Sequence, residues 1–157
     1  MNGDFTGSVH AQGTCEKEFI GKLISFLYRY EQIYIGKQIE PYGFGSGQFL
    51  FLMRLYQEDG INQETLSEHQ KLDKGTTTRA IQKLVDEGYV FRERDEKDKR
   101  SYRIFLTEKG KKVEPDMKKI ASDWENIIFS NFDDSQKKEI MKLLRIMFES
   151  VAQNNVK

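Results

Sequence analysis

The residues of this chain best suited to chemistry are cations and hydroxyls, gathered between positions 74 and 103. Lys74, Thr76, Thr77, Thr78, Arg79, Gln82 and Lys83 follow one another on a single helical pattern, with Asp73 just ahead of it in the N-cap position. Threonine hydroxyls and the free amides of a first helical turn grip phosphate oxygens, whereas arginine and glutamine reach base edges with two bonds at once. A polar cluster at the start of a solvated surface helix has the same composition, so the helix alone leaves both readings open. The next segment adds Arg92, Arg94, Lys97, Lys99, Arg100 and Arg103, interleaved with Glu93, Asp95, Glu96 and Asp98. A carboxylate two residues from an arginine can aim its guanidinium through a charge-assisted bond, ready to enter a minor groove. A surface hairpin with compensating charges is the alternative, but a hairpin directly after such a helix favours a nucleic-acid surface.

Other chemistries find little support. No nucleophile–base pair or carboxylate dyad is legible, so an enzyme is not expected, and no residue is assigned a catalytic role. His10 and His69 lack partners at ligand spacing, so no metal site and no cofactor are expected. Gly43-Phe44-Gly45-Ser46-Gly47 matches the glycine pattern of nucleotide loops, but it follows a helical segment instead of a strand and reads as an interhelical link. Trp124 and Phe129 fit core or interface packing better than a cofactor site. Cys15 is the only cysteine, which excludes an intrachain disulfide and suits a reducing cytoplasm. Glu16 and Glu18 beside it oppose thiolate formation, so its role is left open.

Positioning such a surface requires a frame. Residues 1–15 are polar and glycine-rich without periodicity and read as a mobile tail. From Glu16, apolar residues from Phe19 to Tyr34 recur at three- and four-residue steps, predicting a long amphipathic helix that stops before Pro41. A second helix is expected from Ser46, its cap, to a stop at Asp59-Gly60; a third over 62–70; and a fourth over 74–87, ended by Gly88. Leu66 and Leu72 should anchor the turn between the third and fourth helices, and Ile81, Leu84 and Val85 should hold the fourth against the core. Tyr89–Arg94 and Arg100–Leu106 have strand character, with Asp95–Lys99 as the hairpin tip. A fifth helix should begin at Thr107-Glu108 and continue to about Ser130, with Pro115 bending it or forcing a break one turn in. Asp133 and Gln136 form a capping box for a last helix whose stripe is Ile140, Leu143, Leu144, Met147, Phe148 and Val151. The terminal helices carry more apolar surface than a small module can cover, and a two-fold homodimer would bury it.

Composition agrees with this picture without choosing a partner. The 157 residues hold 25 Lys+Arg against 25 Asp+Glu, 32% charged and 38% hydrophobic residues, and two prolines. Net charge is therefore silent about nucleic acid, because basic groups need only cluster on one face. No apolar run approaches the roughly 20 residues that span a bilayer, and no signal-peptide pattern opens the chain, so no membrane partner is expected and a cytoplasmic protein is.

Asp98-x-Arg100 followed by Leu106-Thr107 and Gly110 resembles the wing signature of MarR-family transcriptional regulators. The preceding LSEHQKLDKGTTTRAIQKLVDEGYV is similar to that family's second and third winged-module helices. The likeness covers nearly all of the chain from Glu16 onward. It implies that Arg100 enters the minor groove, that Asp98 orients it, and that residues 74–79 and 83 read the major groove. Gln70 and Thr77 stand where the family usually has apolar residues, and Lys71 replaces a common turn glycine. The peroxide-sensing branch has its cysteine near the place of Ile24, well away from Cys15. The family also commonly takes aromatic or lipophilic anions in a crevice beside the first helix. Arg29, among Phe26, Tyr30 and Ile33, is a candidate to hold one there, unless its stem simply lies along the helix with the head in water.

The expected architecture is α+β, mainly α: a winged helix-turn-helix over 42–107, flanked by dimerisation helices over 16–41 and 108–157. The expected function is sequence-specific DNA binding in transcriptional regulation, as a ligand-responsive repressor on a pseudo-palindromic operator. The DNA-binding residues would be Lys74, Thr76, Thr77, Thr78, Arg79, Lys83, Asp98, Lys99 and Arg100. The alternative is a winged-helix interaction or dimerisation module that does not read DNA.

Overall fold

The computed structural model describes residues 19–154. The tail expected over 1–15, with His10 and Cys15, lies outside the described residues, as does the start of the first helix at Glu16. Helix α1 spans Ile20–Ile39 and ends where Pro41 forces a single 3-10 turn over Glu40–Tyr42. Helix α2 follows over Ser46–Leu55, capped by Gly45 and not by Ser46. The Gly45 amide donates to Gln48 Oε1 at 2.9 Å, which draws Ser46 into the first helical position. Next come a two-residue strand β1 at Ile61–Asn62, which no sequence pattern announced, then α3 over Gln63–Gln70 and α4 over Lys74–Asp86. The wing is β2, Val90–Arg94, and β3, Tyr102–Leu106; helices α5, Glu108–Lys112, α6, Glu114–Ile128, and α7, Asp134–Gln153, complete the chain.

The three strands form one antiparallel sheet in the order β1-β3-β2, with Val90 opposite Leu106 and Ile61 opposite Ile104. Its inner face contributes Ile61, Val90, Ile104 and Leu106 to a core shared with Phe51, Leu52 and Leu55 of α2, Leu66 of α3, and Ile81 and Leu84 of α4. Ile35 and Ile39 at the end of α1, with Met117 and Ile120 of α6, extend that core toward the long helices. Gly88 turns the chain from α4 into β2 with φ +75°, a geometry that suits glycine. Gly110 is required for another reason: a Cβ there would lie 2.2 Å from the Tyr89 carbonyl oxygen. α5 can therefore dock on the base of the wing only through a residue without a side chain.

The expected break near Pro115 separates α5 from α6 at Val113, and Pro115 occupies the first turn of α6, where its missing N–H costs no helical bond. The Asp133–Gln136 capping box opens α7. Within one chain α7 buries none of its residues, and Leu143, Leu144, Phe148 and Val151 are all exposed. The same holds for the first half of α1, where Ile20, Leu23, Ile24 and Leu27 face outward, and for Phe19 just ahead of it. Leu72 is 39% exposed and does not anchor the α3–α4 turn; Leu66, fully buried, does so alone. No helix among the described residues is long and apolar enough to cross a membrane.

Candidate nucleic-acid interface

Asp73 starts α4 by accepting the Thr76 amide at 2.8 Å and the Thr76 hydroxyl at 2.6 Å. The Thr76 hydroxyl, more than any other group, holds the Asp73 carboxyl below the usual carboxylate range. The preceding turn passes through Lys71 at φ +53°, the one non-glycine residue with positive φ among the described residues. A lysine backbone in that conformation is strained, because its Cβ crowds the following carbonyl. The turn is nonetheless closed by the Lys71 and Leu72 amides, which donate to the Glu68 and Ser67 carbonyls.

The helix then divides its residues by angle. Ala80, Ile81 and Leu84 face the core, and Thr77, one turn earlier on the same stripe, faces it too. Thr77 is fully buried and its hydroxyl has no hydrogen-bond partner, so it cannot contact DNA as expected from its residue type. Lys74, Thr78, Arg79 and Lys83 are exposed and Thr76 is partly so. None of the three cations hangs free. Lys74 Nζ lies 2.7 Å from Glu64 Oε1, Lys83 Nζ lies 2.6 Å from Glu87 Oε1, and Arg79 Nη2 donates to Thr76 Oγ1 at 3.1 Å. The bond it donates to Glu64 raises the Lys74 ammonium above the ordinary lysine value, so it stays charged.

The wing folds back toward this helix. Arg94 Nη1 donates to the Lys99 carbonyl, and Asp95 accepts the Lys97 and Asp98 amides, which together close the tip. Asp98 Oδ1 accepts the Arg100 backbone amide at 3.0 Å. The aspartate therefore sets the direction of Arg100 through the main chain; the expected carboxylate–guanidinium bond is replaced by this Asx-type turn. Arg100 leaves the tip toward the helices and joins Gln63, Glu64, Ser67, Lys74 and Thr78 around a cleft of about 140 Å³. Thus the structure brings Lys74, Thr78 and Arg100 together, while Lys99 stays exposed at the tip and Arg79 and Lys83 lie farther along α4.

Several residues in this assembly have roles that their spacing did not reveal. Gln63 Nε2 donates to Thr78 Oγ1 at 3.1 Å, so α3 positions a hydroxyl of α4. Arg92 of β2 donates from Nη1 to Gln82 Oε1 at 2.6 Å and from Nη2 to the Thr78 carbonyl at 3.2 Å, tying wing to helix. Gln82 is held again by its own bond to Asp86, so its amide is engaged on both sides, by Arg92 and by Asp86. Arg103 spends its Nε on the Gly60 carbonyl at 2.6 Å and braces β3 against the β1 approach.

Arg29 lies elsewhere. Its guanidinium sits 5.8 Å from the centre of the Phe26 ring on the outer face of α1, in a groove shared with Tyr30 and Ile33. The crevice between α1, α2 and α6 is reached instead by Glu31 and Ile35. Arg29 is two positions from Glu31, about 200° around the helix, and so points away from that crevice. It is not placed to hold a ligand there.

Comparison with known proteins agrees with the geometry. The model for the MarR family matches residues 45–102. A MarR transcriptional regulator from Methanosarcina mazei Go1, known as a crystal structure, is 76% identical with a TM-score of 0.84, covering 87% of this chain and 99% of that one. The HTH-type transcriptional regulator SarZ of Staphylococcus epidermidis is 30% identical over 143 residues, 88% of this chain and 93% of the relative. A MarR-family regulator from Listeria monocytogenes, crystallised with a 26mer DNA, shares the fold at a TM-score of 0.82 and 23% identity, covering 87% of this chain and 91% of that one.

Proposed function

The chain belongs to the MarR family of transcriptional regulators, and from that premise we propose that it is a cytoplasmic, ligand-responsive repressor acting as a homodimer on a pseudo-palindromic operator. Its relatives are regulators and not enzymes. The observation that carries the reading surface is the convergence of Lys74 and Thr78 from α4 with Arg100 from the wing on one cleft. A phosphate lodged there would meet the Arg100 cation and the Thr78 hydroxyl, and Lys74 once that lysine exchanges Glu64 for it, while Arg79 and Lys83 continue along the groove-facing side of α4. The proposed reading set is Lys74, Thr76, Thr78, Arg79 and Lys83 with Asp98, Lys99 and Arg100; Thr77 is left out by its burial.

Dimerisation is supported by the apolar stripes of α7 and of the first half of α1, which one chain leaves uncovered. On this reading residues 16–41 and 108–157 form the dimer frame and 42–107 the DNA-binding unit. A small aromatic effector between frame and unit would relieve repression by biasing two dimer geometries. The anionic version of that effector loses its expected anchor, since Arg29 points away from the crevice.

The experiment is fluorescence anisotropy with a duplex selected by the protein from a random pool, titrated at fixed salt. Arg100→Ala is expected to weaken binding by about 1–3 kcal/mol with little change in folding. Failure of the wild type to select any duplex would leave a winged-helix interaction module that does not read DNA.

A further inference from the structure

The crevice between α1, α2 and α6 has a volume of about 400 Å³, and its walls are apolar: Phe49 and Met53 from α2 and Trp124 from α6 are among them. Trp124 is backed by Tyr34, stacked at 5.5 Å between ring centroids, so this wall is a rigid aromatic surface. Two acidic residues line the crevice, partly buried Glu31 from α1 and exposed Glu125 from α6, and neither has an ion-pair partner among the described residues, although Glu125 also borders the groove lined by Lys137, Lys138, Lys142 and Arg145. The one cation on the lining, Lys118, is committed to Glu114 at 2.6 Å. Unpaired Glu31, half-buried beside a lysine already neutralised and with Glu125 at the rim, gives the crevice a negative character, which repels anions and attracts cations of similar shape.

We infer that this crevice binds a small lipophilic cation, an aromatic amine or quaternary ammonium whose apolar body packs on Phe49, Met53 and Trp124 while its charge meets Glu31 and Glu125. The combination of aromatic wall and carboxylates is the chemistry that recognises such ions, through ring-face attraction and charge-assisted bonds together. Burial raises the Glu31 carboxyl above its ordinary value, the mark of an acid that has lost water without gaining a partner. An incoming ammonium supplies that partner. The inference deepens the effector part of the proposed function by stating the sign of the ligand's charge, and it does not depend on operator binding.

Three probes of one skeleton test it: 4-phenylbutylamine, 4-phenylbutanol and 4-phenylbutyrate, titrated into the full chain without DNA. Trp124 is the protein's single tryptophan, so its emission reports occupancy directly. The amine is expected to bind tightest, the alcohol about 10-fold more weakly and the carboxylate weaker still, as one charge-assisted contact predicts. Glu31→Gln and Glu125→Gln should each lower amine affinity several-fold and leave the alcohol unchanged, a split that a general loss of packing would not produce. Met53→Phe, which adds bulk on the crevice's other side without adding a second tryptophan, should weaken amine and alcohol alike. Equal affinity for amine and carboxylate, or insensitivity of the amine to both glutamine variants, would overturn the inference even if operator binding is confirmed. Amine binding with that charge dependence in a protein that selects no DNA would uphold the crevice and refute the repressor.

Discussion

Arg92→Ala is the substitution that best separates a residue that positions the reading helix from one that touches DNA. In the free protein its guanidinium makes a charge-assisted bond to Gln82 at 2.6 Å and a longer bond to the Thr78 carbonyl at 3.2 Å, and its Nε is buried without a partner. A hydrogen bond to a charged group contributes about 1.5–3 kcal/mol when well shielded, and an ordinary one about 1 kcal/mol. Gln82 is exposed, so water replaces part of the first bond, and the orphaned Nε subtracts from the total. A loss of about 1–2 kcal/mol of stability follows, measured by urea denaturation. Operator affinity should fall about 10-fold, because Thr78 and Gln82 lose the strap that aligns α4 with the wing. The slope of log affinity against log salt should nevertheless stay at the wild-type value, since no phosphate contact is removed. Arg92→Lys should recover only part of the loss, as one ammonium cannot span both acceptors. A salt slope reduced by about one in Arg92→Ala would mean that the arginine leaves Gln82 and contacts DNA itself, and the bracing role would be refuted.

Lys71→Gly should stabilise the protein by about 0.5–1 kcal/mol by relieving the left-handed backbone at φ +53°, and a destabilised variant would show that the lysine side chain has compensating contacts. Thr77→Val keeps the shape and removes a buried hydroxyl without a partner, so a gain of about 1 kcal/mol in thermal or urea unfolding is expected with operator affinity unchanged. Lost DNA binding in that variant would restore Thr77 to the reading surface. Leu144→Gln combined with Met147→Gln should dissociate the dimer in sedimentation experiments, given that each apolar side chain covered on association contributes about 1–3 kcal/mol. A wild-type monomer at micromolar concentration would contradict the dimer frame outright.

Local signals in the sequence carried far, because caps and turns are local events. Asp73, the Asp133–Gln136 box, the break near Pro115 and the span of the wing are all written within a few residues, and the structure follows them. Thr77 was misjudged by residue type, although its spacing to Ile81 and Leu84 already placed it on the core stripe. Periodicity outweighs polarity when one small hydroxyl sits among aliphatic neighbours. Leu72 was misjudged the other way, since an apolar residue in a turn need not be buried. Strand β1 has two residues and no alternation to detect. The bonds that assemble the reading surface, Glu64 to Lys74, Gln63 to Thr78 and Arg92 to Gln82, join residues 10 to 15 positions apart across a turn. Such pairings follow from how elements cross, which the residues on one element do not state. Arg29 failed for the same reason: its neighbours in sequence are aromatic, but the crevice opens on the opposite side of its helix.

The carboxylates that hold Lys74 and Lys83 have a consequence for how the protein searches a genome. On the proposed reading surface, a lysine already paired with Glu64 or Glu87 must give up that partner before it can grip DNA, and the exchange costs the same at every site along the duplex. At a random site only another anion replaces the one given up, so little is gained and the protein leaves quickly. At the operator, base contacts made by the same helix add to the exchange and prolong the stay. If Lys74 and Lys83 read DNA as proposed, self-neutralised cations on a chain whose total charge is zero would widen the contrast between dwell times on bulk and target DNA without a single additional contact to the target.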